Sequence, residues 1–187
     1  MLYWIHPLAL RKGAFSESPL ILIGIGSNLP TAVHGSPFQT ARAAVAALAP
    51  AGISVRRQSR WYETVPVPMS DQPWYVNGVV EVQASLEPYP LLQALHGIEA
   101  EFDRVRGERN AARTLDLDLL DYDGRISGPD TGVILPHPRL HQRAFVLKPL
   151  AELAPAWRHP VTGIDLRELL RALPPEQAAY AIRPDSP

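Results

Sequence analysis

Two carboxylates alternate with leucines in the run Arg113-Thr114-Leu115-Asp116-Leu117-Asp118-Leu119-Leu120. Side chains of an extended strand point alternately to opposite faces. Asp116 and Asp118 therefore share one face, and Leu115, Leu117 and Leu119 share the other. Carboxylates that close repel each other unless a cation lies between them. Paired hard oxygen ligands suit magnesium, which keeps room in its shell for substrate phosphates and water. A solvated face of an antiparallel strand would show the same alternation. Four arginines, Arg104, Arg106, Arg109 and Arg113, stand just before the pair. Guanidinium forks match phosphate oxygens two at a time. Cations also gather at helix C-terminal ends. That accounts for Arg104 and Arg106, but not for Arg113 at the start of the strand. In a chain with a formal net charge of −1, this grouping reads as a triphosphate-and-metal site.

Other residues extend the inventory. His137, pinned in Pro136-His137-Pro138, has the chemistry to donate to a phosphate oxygen, or to be a well-bonded loop histidine. Arg143 adds a further cation. Phe145 is able to stack on a flat ring or to fill the core. Tyr75 and Asn77 fall on one strand face. An aromatic beside an amide is what a planar, hydrogen-bonding heterocycle requires, and a cross-strand aromatic with a turn amide would look alike. Gly24-Ile25-Gly26 lacks both the third glycine of a dinucleotide fingerprint and the Gly-Lys-Ser/Thr of a P-loop. Phosphates must then be held by arginines and metal rather than by a glycine loop.

Composition narrows the classes. The chain has 187 residues, 46% hydrophobic and 20% charged, which is ordinary globular usage. Residues 19–187 read as a single domain and residues 1–18 as an N-terminal extension. Arg11 and Lys12 follow the apolar residues of that extension instead of preceding them, unlike a signal peptide. No cysteine is present, so disulfides, thiolate zinc sites and cysteine nucleophiles are excluded. A reducing cytoplasm fits that usage. The charge balance supplies no broad basic surface for nucleic acid. No apolar run is long enough to cross a bilayer as a helix. A monomer is the expected state.

The elements that must position these residues follow from pattern. Residues 19–26 form a buried apolar run, predicted as a strand ending in the turn sequence Gly26-Ser27-Asn28. Ser36, Pro37 and Gln39 form the start of a capping-box helix, with Phe38, Ala41, Val45 and Leu48 on one face. Pro50 and Gly52 end it. A polar strand near a sheet edge is expected over 53–62, a proline-stiffened loop over 63–73 and a strand over 75–82. A second helix begins near Pro88, with Leu92, Leu95, Ile98, Phe102 and Val105 as its buried stripe. The strand through Asp116 and Asp118 follows, then a hairpin turn at Asp123-Gly124. A short helical stretch runs to Leu153, and a last helix opens at Asp165 with Glu168. The tail after Pro174 reads as loosely held. The hairpin signal and alternating strand indicate an α+β chain, with helices on a mostly antiparallel sheet.

The ordered set of motifs is specific where each alone is weak. Ile25-Gly26-Ser27-Asn28-Leu29, Tyr62-Glu63-Thr64, Asp71-Gln72-Pro73, Tyr75-Val76-Asn77, Ile98-Glu99, Arg113-Thr114-Leu115-Asp116-Leu117-Asp118 and Leu135-Pro136-His137-Pro138 occur in this order, followed by Arg143-Ala144-Phe145-Val146-Leu147. Together they resemble the hydroxymethyldihydropterin pyrophosphokinases. The resemblance implies a ferredoxin-like fold and transfer of diphosphate from ATP to 6-hydroxymethyl-7,8-dihydropterin, releasing AMP, in folate synthesis. It implies that Asp116 and Asp118 hold two Mg2+ ions, with Asp116 also placed to accept the hydroxyl proton. Arg104 and Arg113 would stabilise the transferred phosphates, with Arg106, His137, Arg143 and Glu99 also at the nucleotide. Thr64, Val65 and Val67 would line the pterin edge, Asn77 would bond the ring, and Tyr75 and Phe145 would sandwich it. Asn110 stands where the family often has a tryptophan, and Pro138 where it often has an aromatic. Another magnesium-dependent nucleotide enzyme and a non-catalytic pterin-binding module are the alternatives. The first leaves 64–77 unexplained, and loss of either aspartate would have favoured the second.

Overall fold

Ile21, Leu22, Ile23 and Ile25 make β1 (Ile21–Ser27) an apolar strand, and all of its residues but Gly24 are buried. That is what a central strand covered on both faces requires. β1 pairs antiparallel with β4 (Tyr75–Gln83) on one side and with β5 (Asp116–Tyr122) on the other. The computed structural model describes residues 19–104 and 111–183. Within them six strands form one sheet, in the order β5-β1-β4 and then β3 (Tyr62–Thr64) and β6 (Ala179–Ala181), with β2 (Ser54–Gln58) also on β4. The connection β1, α1 (Pro37–Leu48), β2 and β3, β4, α2 (Pro88–Glu101), β5 is ferredoxin-like, as expected from the sequence.

Each face of the sheet carries its own core. Ile21, Ile23, Ile25, Val80, Leu117 and Leu119 pack against α1 and α2. Leu22, Val79 and Leu120 pack on the other face against α3 (Ala144–Leu153) and α4 (Leu166–Arg171). Alternation along β5 thus sends Leu117 and Leu119 into the first core, and Asp116, Asp118 and Leu120 to the second face.

Several boundaries differ from the sequence reading, each for a local reason. The strand expected over 53–62 is split in two, because Ser59 leaves the ladder and its hydroxyl accepts the Val79 N–H at 3.0 Å. Trp61 then packs on Gly78, where a Cβ would lie 2.8 Å from the indole. In α2 the buried stripe uses Leu91 in place of Leu92, with Leu95, Ile98 and Glu99. Val105 lies outside the described residues. At Asp123-Gly124 the chain turns with both residues at positive φ, 53° and 66°. The residues that follow make only the isolated bridge between Ser127 and Leu135, so no full hairpin forms. The described part of the tail after Pro174, residues 175–183, is held rather than loose. Its β6 pairs with β3, and Lys148 Nζ donates to the Ala179 carbonyl at 2.9 Å. Ser36 and Gln39 make the reciprocal box as read, and Asp165 serves as a one-way N-cap, accepting the Glu168 N–H at 2.9 Å. Among the described residues no helix is long and apolar enough to cross a membrane.

Under the second core lies a histidine pair. His159 packs edge-on against His141 at 5.0 Å, and its Nδ1 accepts from the Val161 N–H at 3.2 Å. Burial, then His141, hold the His159 ring below its ordinary value of 6.5, against the pull of Asp121. Below pH 6.5 the unfolded chain therefore binds more protons than the folded one, and stability falls with acid. We expect His159→Asn, which keeps an acceptor without titrating, to reduce the drop in melting temperature between about pH 7 and pH 5. His137 carries a penalty of the same sign, so the slope will shrink without vanishing. An unchanged slope would show that His159 does not contribute.

Candidate active site

The approach to β5 is clamped before the aspartates begin. The N–H groups of Asn28 and Leu29 both donate to the Arg113 carbonyl, at 3.1 and 3.2 Å. The Ser27 hydroxyl donates to the Thr114 carbonyl at 2.6 Å. Asn28 completes the clamp: its Oδ1 accepts the Arg113 N–H at 2.8 Å, while its Nδ2 donates to the Pro73 carbonyl at 3.1 Å and to Gln72 Oε1 at 3.3 Å. One buried amide thus joins the loop that leads into β4 to the segment that leads into β5. Asn28 and Gln72 were absent from the sequence-derived site. The turn sequence Gly26-Ser27-Asn28 was the available signal, but a turn residue and a cross-loop clamp look alike in one sequence.

Two arginines converge on Asp116. Arg104 Nη1 and Arg113 Nη1 each lie 2.8 Å from its Oδ1. Burial pushes Asp116 upward, but Arg113 and then Arg104 outweigh it and hold the carboxyl below its usual range. As the structure stands, Asp116 is a poor proton acceptor. Arg104 is itself held by Glu99, whose Oε1 also accepts the Leu117 N–H at 2.7 Å. Glu99 is 2% exposed. It faces Arg104 and β5. His34 stacks on Phe102 at 4.3 Å, fixing the end of α2 just before Arg104.

Asp118 is held less tightly. Its Oδ2 lies 3.5 Å from Arg143 Nη1 and 3.8 Å from His137 Nε2. Burial and then the Asp116 charge push Asp118 up to about 6, despite Arg143. His137 falls to about 4, through burial and then Arg143 and Arg139. It is neutral at pH 7, so its approach to Asp118 is not an ion pair. Its Nδ1 accepts the Arg139 N–H at 3.2 Å, which leaves the proton on Nε2, facing Asp118. The Arg143 guanidinium lies 5.1 Å from the Phe145 ring.

The heterocycle candidates stand beside this cluster on β4 and β3. Asn77 Nδ2 donates to Thr64 Oγ1 at 2.7 Å, and both side chains are buried. The Tyr75 hydroxyl lies 3.3 Å from both Gln72 Oε1 and the Ala111 carbonyl. Burial raises its pKa. Val65 and Val67 are half-buried in the loop after β3, and the Val65 N–H is taken by the Ala178 carbonyl at 3.2 Å. Phe145 sits in the first turn of α3. Arg106 and Asn110 lie outside the described residues.

The donor set fits a hard divalent cation. Asp116 and Asp118 keep 24% and 31% of their side chains exposed, so both have open oxygens. The raised Asp118 is a carboxylate whose charge a cation would stabilise. Among the described residues no group of three His, Cys, Asp or Glu converges as a complete metal cage. Magnesium needs no such cage when phosphates and water supply the remaining ligands.

Residues 22–155 match the family model described as 7,8-dihydro-6-hydroxymethylpterin-pyrophosphokinase (HPPK). The chain belongs to this family. An HPPK-family relative from Synechocystis sp., named 2-amino-4-hydroxy-6-hydroxymethyldihydropteridine pyrophosphokinase, is 41% identical over 150 residues, covering 80% of this chain and 73% of its own. One of the same name from Methylorubrum extorquens is 39% identical over 155 residues, covering 82% and 92%. The chain spans only 20%, 28% and 22% of three longer folate-synthesis proteins that it also matches. The crystal structure of Plasmodium falciparum HPPK-DHPS shares the HPPK fold at a TM-score of 0.61 and 13% identity, over 83% of this chain and 44% of that one.

The two aspartates should respond to substitution with opposite signs. Asp116→Asn removes the counter-charge of two arginines and should lower the melting temperature. Asp118→Asn removes a carboxylate that its surroundings disfavour, and should leave the melting temperature equal or higher. Each should cost on the order of 10²–10³-fold in turnover. A strong loss of stability in Asp118→Asn would assign that carboxylate a structural role.

Proposed function

We infer that this chain transfers the terminal diphosphate of ATP to the hydroxymethyl group of 6-hydroxymethyl-7,8-dihydropterin, giving AMP and the pterin diphosphate in folate synthesis. The observation that carries this reading is the meeting of Arg104, Arg113 and Arg143 with Asp116 and Asp118 beside the Tyr75–Asn77 face, in a chain of this family.

The hydroxymethyl oxygen forms a bond to the β-phosphorus, the bond from that phosphorus to the bridging oxygen breaks, and AMP leaves with that oxygen. Such transfers depend on positioning and charge stabilisation more than on covalent help from the protein. In our reading Arg104, Arg113, Arg143 and neutral His137 donate to the phosphates, and Arg106 joins them. Glu99 orients Arg104. The hydroxyl proton passes to water as the new bond forms. Asp116 and Asp118 would hold Mg2+, two ions in this proposal. When bound, Mg2+ offsets the phosphate charge and polarises the phosphorus. Tyr75 and Phe145 stack on the pterin, Asn77 and Thr64 bond its edge, and Val65 and Val67 close it. Residues 19–187 act as one domain, in a cytoplasmic monomer.

The test is a product assay with ATP, Mg2+ and 6-hydroxymethyl-7,8-dihydropterin. AMP that forms only with all three present supports diphosphate transfer. ADP, or nucleotide hydrolysis that ignores the pterin, would overturn it.

A further inference from the structure

Gly26 is the next-to-last residue of β1, paired on both sides, where glycine weakens pairing and leaves a gap in the sheet face. Backbone conformation does not demand it, since Gly26 is not among the glycines at positive φ. Space does. In register, Gly26 stands between Asn77 on β4 and Asp116 on β5, on the shared face that carries both side chains. A Cβ at Gly26 would lie 2.7 Å from Asn77 Oδ1, closer than real contacts allow, but 3.8 Å from the Asp116 Cβ, an ordinary contact. Asn77 has little freedom to retreat. It is 6% exposed, and its Nδ2 is bound to the buried Thr64 at 2.7 Å. One amide N–H is given to Thr64, which turns the oxygen over Gly26. Asn77 is thereby fixed as an acceptor, the partner a heterocycle N–H requires.

We propose that Gly26 is a positioning residue for heterocycle recognition: its missing side chain holds the Asn77 carbonyl oxygen in place and leaves bare backbone between the heterocycle end and the phosphate end of the cleft. This rests on the pterin reading above. The steric demand is one-sided, so substitution separates the two ends. Gly24, two residues earlier on the same face, is a control. The nearest atoms to a Cβ there are side-chain carbons of Leu120, at 3.4–3.5 Å.

The experiment compares Gly26→Ala, Gly24→Ala, Asn77→Ala and Gly26→Ala/Asn77→Ala, using steady-state kinetics and fluorescence titration with 6-hydroxymethyl-7,8-dihydropterin. Gly26→Ala should weaken pterin binding by about tenfold, the size of one lost hydrogen bond, while the KM for ATP stays within about twofold. Gly24→Ala should leave pterin binding unchanged. In the Asn77→Ala background Gly26→Ala should add nothing, because the atom it displaces is gone. Unchanged pterin binding in Gly26→Ala overturns the proposal, as does an equal further loss in the Asn77→Ala background. If Gly26→Ala does not fold, the double variant should. Its failure to fold would make Gly26 a purely structural glycine and also overturn the proposal. A wild-type protein that makes no pterin-dependent AMP would instead sink the functional reading.

Discussion

Asp116 and Asp118 point the same way from adjacent turns of one pleat, and that proximity governs everything built around them. Two carboxylates on one face cannot both stay ionised in a recess without compensation. The fold answers asymmetrically. Asp116 receives two guanidinium groups at contact distance, whereas Asp118 receives one at 3.5 Å and a neutral imidazole. One carboxyl is therefore depressed and the other raised. The pair differs in role before any ligand arrives.

Holding that asymmetry requires several elements at once. Arg104 comes from the end of α2, steadied by Glu99 beneath it and by the His34–Phe102 stack beside it. Arg113 comes from the approach to β5, fixed by the Asn28 clamp. Arg143 and His137 come from the loops that precede α3, where the second core anchors the chain. The clamp does more than hold Arg113. Because Asn28 also binds Gln72 and Pro73, movement of the loop before β4 is felt at the start of β5. The approaches to β4 and β5 are coupled through one buried amide.

The sheet and its helices were legible because periodicity and caps are local signals. The alternation of Asp116 and Asp118 with leucines placed both carboxylates on one face, and Ser36 with Gln39 marked α1. The arginine cluster was legible as composition. What sequence could not resolve depends on contacts between distant segments. Glu99 looks like any polar residue on an apolar helix face, yet it is buried because β5 offers it an N–H and Arg104 a charge. β6 was missed because its ladder partner, β3, lies more than a hundred residues upstream and no local pattern announces the pairing. Gly26 was read as a turn residue, since the neighbour that explains it is across the strand, not along it.

The charge pairs of the free protein also constrain how ligands enter. Each arginine now facing an aspartate is, in the proposed reaction, a phosphate ligand, and each aspartate a cation ligand. Nucleotide alone would draw Arg104 and Arg113 away from Asp116 and leave two close carboxylates uncompensated. Metal alone would set a divalent cation among three guanidinium groups. Either half-exchange leaves a partly buried charge without its partner, which is the costly outcome. Joint exchange avoids it, because every arginine–carboxylate pair lost is replaced by an arginine–phosphate and a carboxylate–metal pair. In the proposed reaction, binding of metal and nucleotide would then be thermodynamically coupled, and the coupling would be reciprocal by linkage. Asn77 and Thr64 stand outside this exchange, bonded to each other. In the proposed reaction the pterin side of the site is consequently set by shape and hydrogen-bond polarity, and the phosphate side by charge.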